Sequence, residues 1–163
     1  PFFPYSSNVY QEIIPSAGDG YPYLLKALIL HKGTPAYASP AGNPVIDVLR
    51  DMEKLPLFIA CDIVIGETSM YADYIFPDLT FLERWATSHT TPATLTTLSK
   101  VRQPVVAPMT EIVTVDGEAM PISLEAFMIA VGKKLGMAGF GKDGLGEGYP
   151  FDRPEQNHLA MIA

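Results

Sequence analysis

A single cysteine, Cys61, excludes an internal disulfide and leaves no thiol set from which this chain alone could build a zinc or iron–sulfur centre. Basic residues are also scarce. Eleven Lys and Arg stand against 18 Asp and Glu, for a net charge of -7, and they are scattered along the chain. Nucleic-acid binders neutralise phosphates with clustered cations, so no phosphate-tracking surface is expected. The longest apolar stretch, Leu55 to Ile65, is broken by Pro56 and Asp62 and falls well short of the ~20 residues that cross a bilayer. There is no internal repeat. The start, Pro1-Phe2-Phe3-Pro4, carries no initiating Met, basic leader or small-residue cleavage site, so the chain reads as excised from something longer, with any export signal outside it.

What is present is an ordinary globular composition, 48% hydrophobic and 18% charged over 163 residues, which suits one core rather than disorder. Residues 1–23 hold Pro4, Pro15, Gly18, Gly20 and Pro22 between aromatics and read as an irregular connecting arm. Leu24 to Leu30, LLKALIL, reads as a buried strand closing at His31-Lys32-Gly33, although periodicity alone leaves a short helix open. Gly33 to Asn43, GTPAYASPAGN, combines small side chains with turn residues that let main-chain amides approach a ligand. Asn43 then reads as an N-cap and Pro44 as the first turn of a helix ending near Lys54, with Val45, Val48, Leu49 and Met52 on its apolar face. Leu57 to Ile65 reads as a second buried strand, completing a strand-loop-helix-strand unit of the parallel kind.

Glu67 to Asp73 suits one helical turn and Tyr74 to Pro77 a short strand, with Leu79, Phe81 and Trp85 continuing the layer. Thr87 to Ser99, with six Thr and two Ser, reads as a polar loop. Strands are expected over Val101–Val106 and Ile112–Val115, the latter followed by a turn at Asp116-Gly117. Ser123 caps a helix whose expected apolar face is Leu124, Phe127, Met128, Val131 and Leu135, and Gly136 stops it. Residues 24–138 thus form the α/β segment, and residues 139–163 a Gly-rich loop and a short C-terminal helix.

The glycines of 139 to 148 resemble a phosphate loop in spacing, but a dinucleotide fingerprint sits between a strand and a helix N-terminus, and these follow a helix. A surface connection is the preferred reading. Gly33 to Asn43 is better placed, because it leaves a strand's C-terminal end, the edge at which open α/β sheets bind ligands; ligand loop and plain turn both remain open. Asp62 interrupts an apolar strand and needs hydrogen-bond partners, either a donor-rich ligand such as the amino edge of a guanine or a neighbouring loop. Glu67, Asp73, Asp78 and Glu83 form an acidic series of the kind that ligates metals or does acid/base chemistry, but without a positioned His or second ligand shell such a series is more often structural. His31, His89 and His158 have no metal-ligand spacing, and Cys61 reads as a packed, inert thiol. Ser88 and His89 lack the elbow and oxyanion site of a hydrolase.

The run Glu67 to Trp85, ETSMYADYIFPDLTFLERW, resembles a signature of the catalytic subunits of molybdopterin oxidoreductases, the dimethyl sulfoxide reductase family. A hydrophobic strand leads into a Glu-Thr turn, an Ala-Asp pair, a Phe-Pro and a Leu-Glu-Arg, in that order. Gly33-Thr34-Pro35 through Ser39-Pro40 looks like the family's loop after a strand, and Lys100 to Pro108 like the strand that follows. Ser123 to Phe127 and Gly139-Phe140-Gly141 look most like the tetrathionate-reductase branch and its arsenate-respiring relatives. After Trp85 the sequence departs from many relatives: a Gly-Thr and Asn-rich turn followed by Glu-Gly-Arg gives way to the Thr-rich stretch, with Arg102 and Gln103 keeping part of it.

The resemblance implies a Rossmann-like, three-layer α/β segment with a mainly parallel sheet, part of a discontinuous domain gripping a molybdopterin guanine dinucleotide with molybdenum or tungsten. By resemblance, Gly33, Thr34, Pro35 and Ser39 approach the cofactor's phosphate or pterin region, and Asp62, Gly66, Glu67 and Thr68 lie beside the nucleotide, with Asp78 a further candidate and Asp73 structural. The metal's protein ligand, the cluster cysteines and the barrel that closes the site are absent, so this chain alone is expected to be inactive. The parent is expected to be exported, to work with an iron–sulfur electron-transfer subunit plus a membrane anchor subunit, and to reduce tetrathionate or, alternatively, arsenate, thiosulfate or polysulfide. A stand-alone nucleotide-binding or protein-interaction module is the rival from another class.

Overall fold

Three short parallel strands organise the first half of the chain. β1 (Leu28–His31) pairs with β2 (Phe58–Asp62), and β2 with β3 (Tyr74–Pro77), in the spatial order β1-β2-β3. The computed structural model describes residues 10–87 and 100–162, which divide into two units, residues 1–77 and 78–163. In the first unit the chain between β1 and β2 forms α2 (Pro35–Ala38) and α3 (Gly42–Leu49), so the expected parallel strand-loop-helix-strand unit is present. Its core joins Val45, Val48 and Leu49 of α3 to Phe58, Leu55, Ala36 and Ile14, with Leu28 and Leu30 packed against them.

Several boundaries differ from the expectation, each for a local reason. Within the arm expected to be irregular, residues 10–12 form a 3-10 turn leading into α1 (Ile13–Gly18). Pro15 is tolerated because it lies in the helix's first turn, where its missing N–H has no partner to lose. Gly18 is not a turn residue but a packing one: a Cβ there would lie 2.4 Å from Val48 Cγ2, so its absence lets α1 rest against α3. β1 starts four residues later than expected, with Leu24 largely exposed. α3 is capped not by Asn43 but by Ala41, which takes a left-handed conformation, and it ends at Leu49, leaving Met52 outside and exposed. β2 ends at Asp62, and Ile63, Val64 and Ile65 are exposed beyond it.

The second unit contains two antiparallel pairs and two helices. β4 (Ala86–Thr87) pairs with β5 (Val101–Arg102), and β6 (Ile112–Val115) with β7 (Glu118–Pro121) across the expected Asp116-Gly117 turn, where both residues have positive φ. Residues 79–85 turn rather than extend the sheet, and the strand expected over 101–106 stops at Arg102, after which the Val105 and Val106 amides both donate to the Leu82 carbonyl. The Thr-rich loop expected over 87–99 lies outside the described residues from position 88 onward, as do Ser88 and His89.

α4 (Leu124–Lys134) starts as expected, with the Ser123 hydroxyl accepting the Ala126 amide, and stops before Gly136 at φ 63. Its buried face, however, is Ala126, Ile129 and Gly132, while Met128 and Leu135 are exposed. Small residues decide the packing: the Phe140 ring occupies the space a Gly132 side chain would need, 2.5 Å from an added Cβ, and stacks on Phe151 with centroids 5.4 Å apart. The Gly-rich stretch is the surface connection anticipated, and it leads to α5 (Pro154–Ala160).

Candidate functional site

The C-terminal ends of β1 and β2 deliver two loops to the same edge of the sheet, and six of the nine residues singled out by sequence lie on them, with Asp62 closing β2 and Ser39 following α2. The first loop, Gly33-Thr34-Pro35, enters α2; the second, Gly66-Glu67-Thr68, enters a 3-10 turn at Ser69–Tyr71. A buried hydrogen bond ties them, the Ala36 amide donating to the Thr68 hydroxyl at 3.2 Å across 32 residues of sequence. Thr68 and Ser69 are both fully buried, so neither hydroxyl faces water. Ser69 folds its own loop, accepting the Gly66 amide at 2.7 Å and donating to the Gly66 carbonyl at 3.0 Å. At the outer side, the Tyr37 and Tyr71 hydroxyls meet at 3.0 Å, and the Arg50 guanidinium lies 5.1 Å over the Tyr71 ring.

Gly66 lies close to both the first loop and the end of β2. A Cβ there would lie in ordinary contact with Ser69 Oγ (3.6 Å), Thr34 Cγ2 (3.7 Å) and Asp62 Oδ2 (3.8 Å), which puts Asp62, Thr34 and Gly66 around one small space. Asp62 uses its other carboxylate oxygen locally, accepting the Ile63 amide at 2.8 Å. Among the described residues the Gly33 and Thr34 amides donate no hydrogen bond, and the Thr34 hydroxyl makes none to the helix it precedes. Glu67 is exposed beside them. Ser39 turns its hydroxyl back to the Pro35 carbonyl at 2.6 Å, so it shapes the first loop.

Asp78 belongs to the second unit, where both its carboxylate oxygens are engaged. One pairs with Arg84 at 3.2 Å and the other accepts the Leu124 amide at 3.1 Å, at the start of α4. Arg84 also bonds Glu125. Asp73 and Glu83 are structural, as the acidic series suggested. Asp73 brackets Phe58, its carboxylate accepting the Phe58 amide (2.7 Å) while its own amide donates to the Phe58 carbonyl (2.8 Å). Glu83 accepts the Thr80 and Met109 amides at 2.8 and 2.7 Å, and the Thr80 hydroxyl first, then these two amides, hold its carboxyl below the usual value. Cys61 is buried in β2, as expected.

Sequence patterning gives no sign of two features. Tyr37 and Tyr71 read as ordinary members of their segments, although Tyr37 lies inside the candidate loop and Tyr71 inside the recognised signature. A cavity of about 130 Å³ in the second unit, lined by Trp85, four prolines and charged groups including Arg84, Glu125 and Arg153, has no sequence signal, because its walls come from four separated segments.

No family model and no solved structure matches the chain. Curated proteins do. Over its full length the chain is 50% identical to part of the selenate reductase of Mesobacillus selenatarsenatis and 39% identical to part of the tetrathionate reductase of Salmonella typhimurium, spanning 16% of the matched polypeptide in each case. It is 36% identical over 77 residues, 47% of its length, to the molybdopterin-containing subunit of thiosulfate reductase from the same Salmonella, covering 10% of that protein. The chain is homologous to a segment of molybdopterin oxidoreductase catalytic subunits. Selenate reductase, with the higher identity, is a branch the sequence motifs did not single out. The chain spans about a sixth of the two reductase polypeptides it matches along its whole length.

Proposed function

We propose that this chain is the cofactor-gripping α/β segment of a larger molybdenum or tungsten enzyme carrying molybdopterin guanine dinucleotide, an anaerobic respiratory reductase of tetrathionate, selenate or a related oxyanion. The observation that carries the proposal is the pair of strand-end loops, joined through Ala36 and Thr68, in a chain matched along its whole length by selenate and tetrathionate reductases.

The residues fit the group. An anionic dinucleotide needs N–H and O–H donors for its phosphates, which the Gly33 and Thr34 amides and the Thr34 hydroxyl supply, and an acceptor for a base amino group, which the Asp62 carboxylate supplies. Gly66 leaves the space between them clear of side chain. When bound, the cofactor supplies the two-electron oxidation–reduction chemistry, and the protein contributes orientation and electrostatics. Pro35 and the Ser39 hydroxyl fix the first loop, Thr68 fixes the second against it, and Glu67 completes the set on these loops, whereas Asp78 is committed within the second unit to Arg84 and the Leu124 amide. In this reading the parent is exported and works with an iron–sulfur electron-transfer subunit plus a membrane anchor subunit, and this segment alone does not turn over. Among the described residues no helix is long and apolar enough to cross a membrane.

The test is metal analysis with oxidised-pterin fluorescence on the full-length parent, purified without oxygen. One Mo or W with guanine-containing pterin in about twofold molar amount is the expected result. A parent carrying neither ends the proposal in favour of a nucleotide-binding or protein-interaction module.

A further inference from the structure

Two tyrosines from different strand-end loops share a hydrogen bond at the rim of the site. Tyr37 stands on α2, after β1, with its ring 57% exposed; Tyr71 closes the 3-10 turn after β2. Their oxygens are 3.0 Å apart. In a hydroxyl pair one proton lies between the oxygens, and the accepting oxygen keeps its own proton for a further partner. Arg50 lies over the Tyr71 ring and pairs with no carboxylate among the described residues, which brings one positive charge to the rim, while the charge of the exposed Glu67 acts on Tyr37 in the opposite sense. The bond to Tyr71, first among the causes, holds the Tyr37 hydroxyl above its ordinary value, which favours its protonated form.

We propose that Tyr37 and Tyr71 form an outer latch that closes the two loops as one unit and donates the pair's second hydroxyl proton to an anionic oxygen of the bound ligand, a phosphate oxygen. The latch works in parallel with the buried bond from the Ala36 amide to Thr68: the inner bond sets loop spacing, and the outer one holds the rim and adds a donor. The donor role rests on the cofactor reading above; the latch role does not.

Tyr37→Phe and Tyr71→Phe in the full-length parent test both. Each removes one oxygen and little packing, so thermal stability is expected to stay close to that of the parent. Two measurements then separate the roles. Hydrogen exchange at residues 36–38 in cofactor-stripped protein is expected to quicken in both variants by about threefold to tenfold, the range for losing one net hydrogen bond; exchange unchanged in both overturns the latch. The first-order rate at which pterin and metal are lost on anaerobic dialysis is expected to rise about tenfold or more, as for losing a hydrogen bond to a charged group; an unchanged rate overturns donation to the ligand. A wild-type parent without pterin overturns the cofactor reading, and donation with it, while the exchange measurement still decides the latch.

Discussion

Gly42 sits where a methyl group cannot. A Cβ there would lie 1.9 Å from the Ala36 carbonyl oxygen, a backbone atom that cannot swing aside without unseating α2. Gly42→Ala is therefore expected to cost upward of about 2 kcal/mol in urea unfolding, in the range of severe backbone clashes. Gly66 gives the opposite outcome. Its added Cβ would make only ordinary contacts, so Gly66→Ala is expected to change stability by less than about 0.5 kcal/mol while lowering the cofactor content of the full-length parent, because the methyl fills the space between Thr34 and Asp62. Equal cofactor content in Gly66→Ala and wild type would remove Gly66 from the site. The two glycines are indistinguishable as letters. Both fall in loops that the sequence marks as permissive, but which one is packing and which is clearance depends on atoms brought from 6 or 32 residues away.

At the scale of elements, the second unit is held by polar anchors at the ends of its segments. Ser123 and Asp78 together satisfy the first amides of α4, and Ser123→Ala is expected to cost about 1 kcal/mol, readable as a lowered urea midpoint. Glu83 anchors the turn at Thr80 and the segment at Met109. Its carboxyl titrates below the ordinary 4.5 in the folded chain, so its stabilisation is present at neutral pH and is lost as pH falls from 4.5 through the lower folded value. Glu83→Gln, measured by urea unfolding across pH, is expected to be weaker at pH 7 and to flatten that acid limb; an unchanged limb would assign it to other groups. His158 adds a loss at higher pH. Burial first, and then the Arg84 charge, hold it below 6.5, so the unfolded chain takes up its proton earlier and stability falls as pH drops from 6.5 towards the folded value.

These elements also show what the sequence can reveal. The Ser123 cap, the Asp116-Gly117 turn and the Gly136 stop were legible because each is local chemistry. The buried face of α4 was not. Large apolar side chains lie all round that helix, and the residues that meet the core are Ala126 and Gly132 beside Ile129, chosen by how close Phe140 can come. α1 was hidden likewise, since Pro15 and Gly18 read as breaks until α3 is there to receive them.

For the whole molecule, the question is what the exposed apolar groups are for. The core of the first unit takes one face of its sheet: Leu28, Leu30 and Phe58 point into it, while Ile29 and Tyr74, aligned through Ile59 on the alternate face, are exposed. Beyond β2, Val64 and Ile65 are 71% and 69% exposed, in a stretch that sequence patterning placed in a buried strand. Parallel sheets are covered on both faces, and a chain folded for itself keeps contiguous apolar surface small. Sequence patterning thus registered a burial that the described residues do not supply, which agrees with the chain's spanning 16% of its reductase relatives. Produced alone, the 163-residue chain is expected to bind an apolar dye and to self-associate, and Val64→Lys with Ile65→Lys to lessen both without lowering the urea midpoint. A monodisperse, dye-silent chain would mean that these surfaces are tolerated in water and are not covered by the rest of a larger polypeptide.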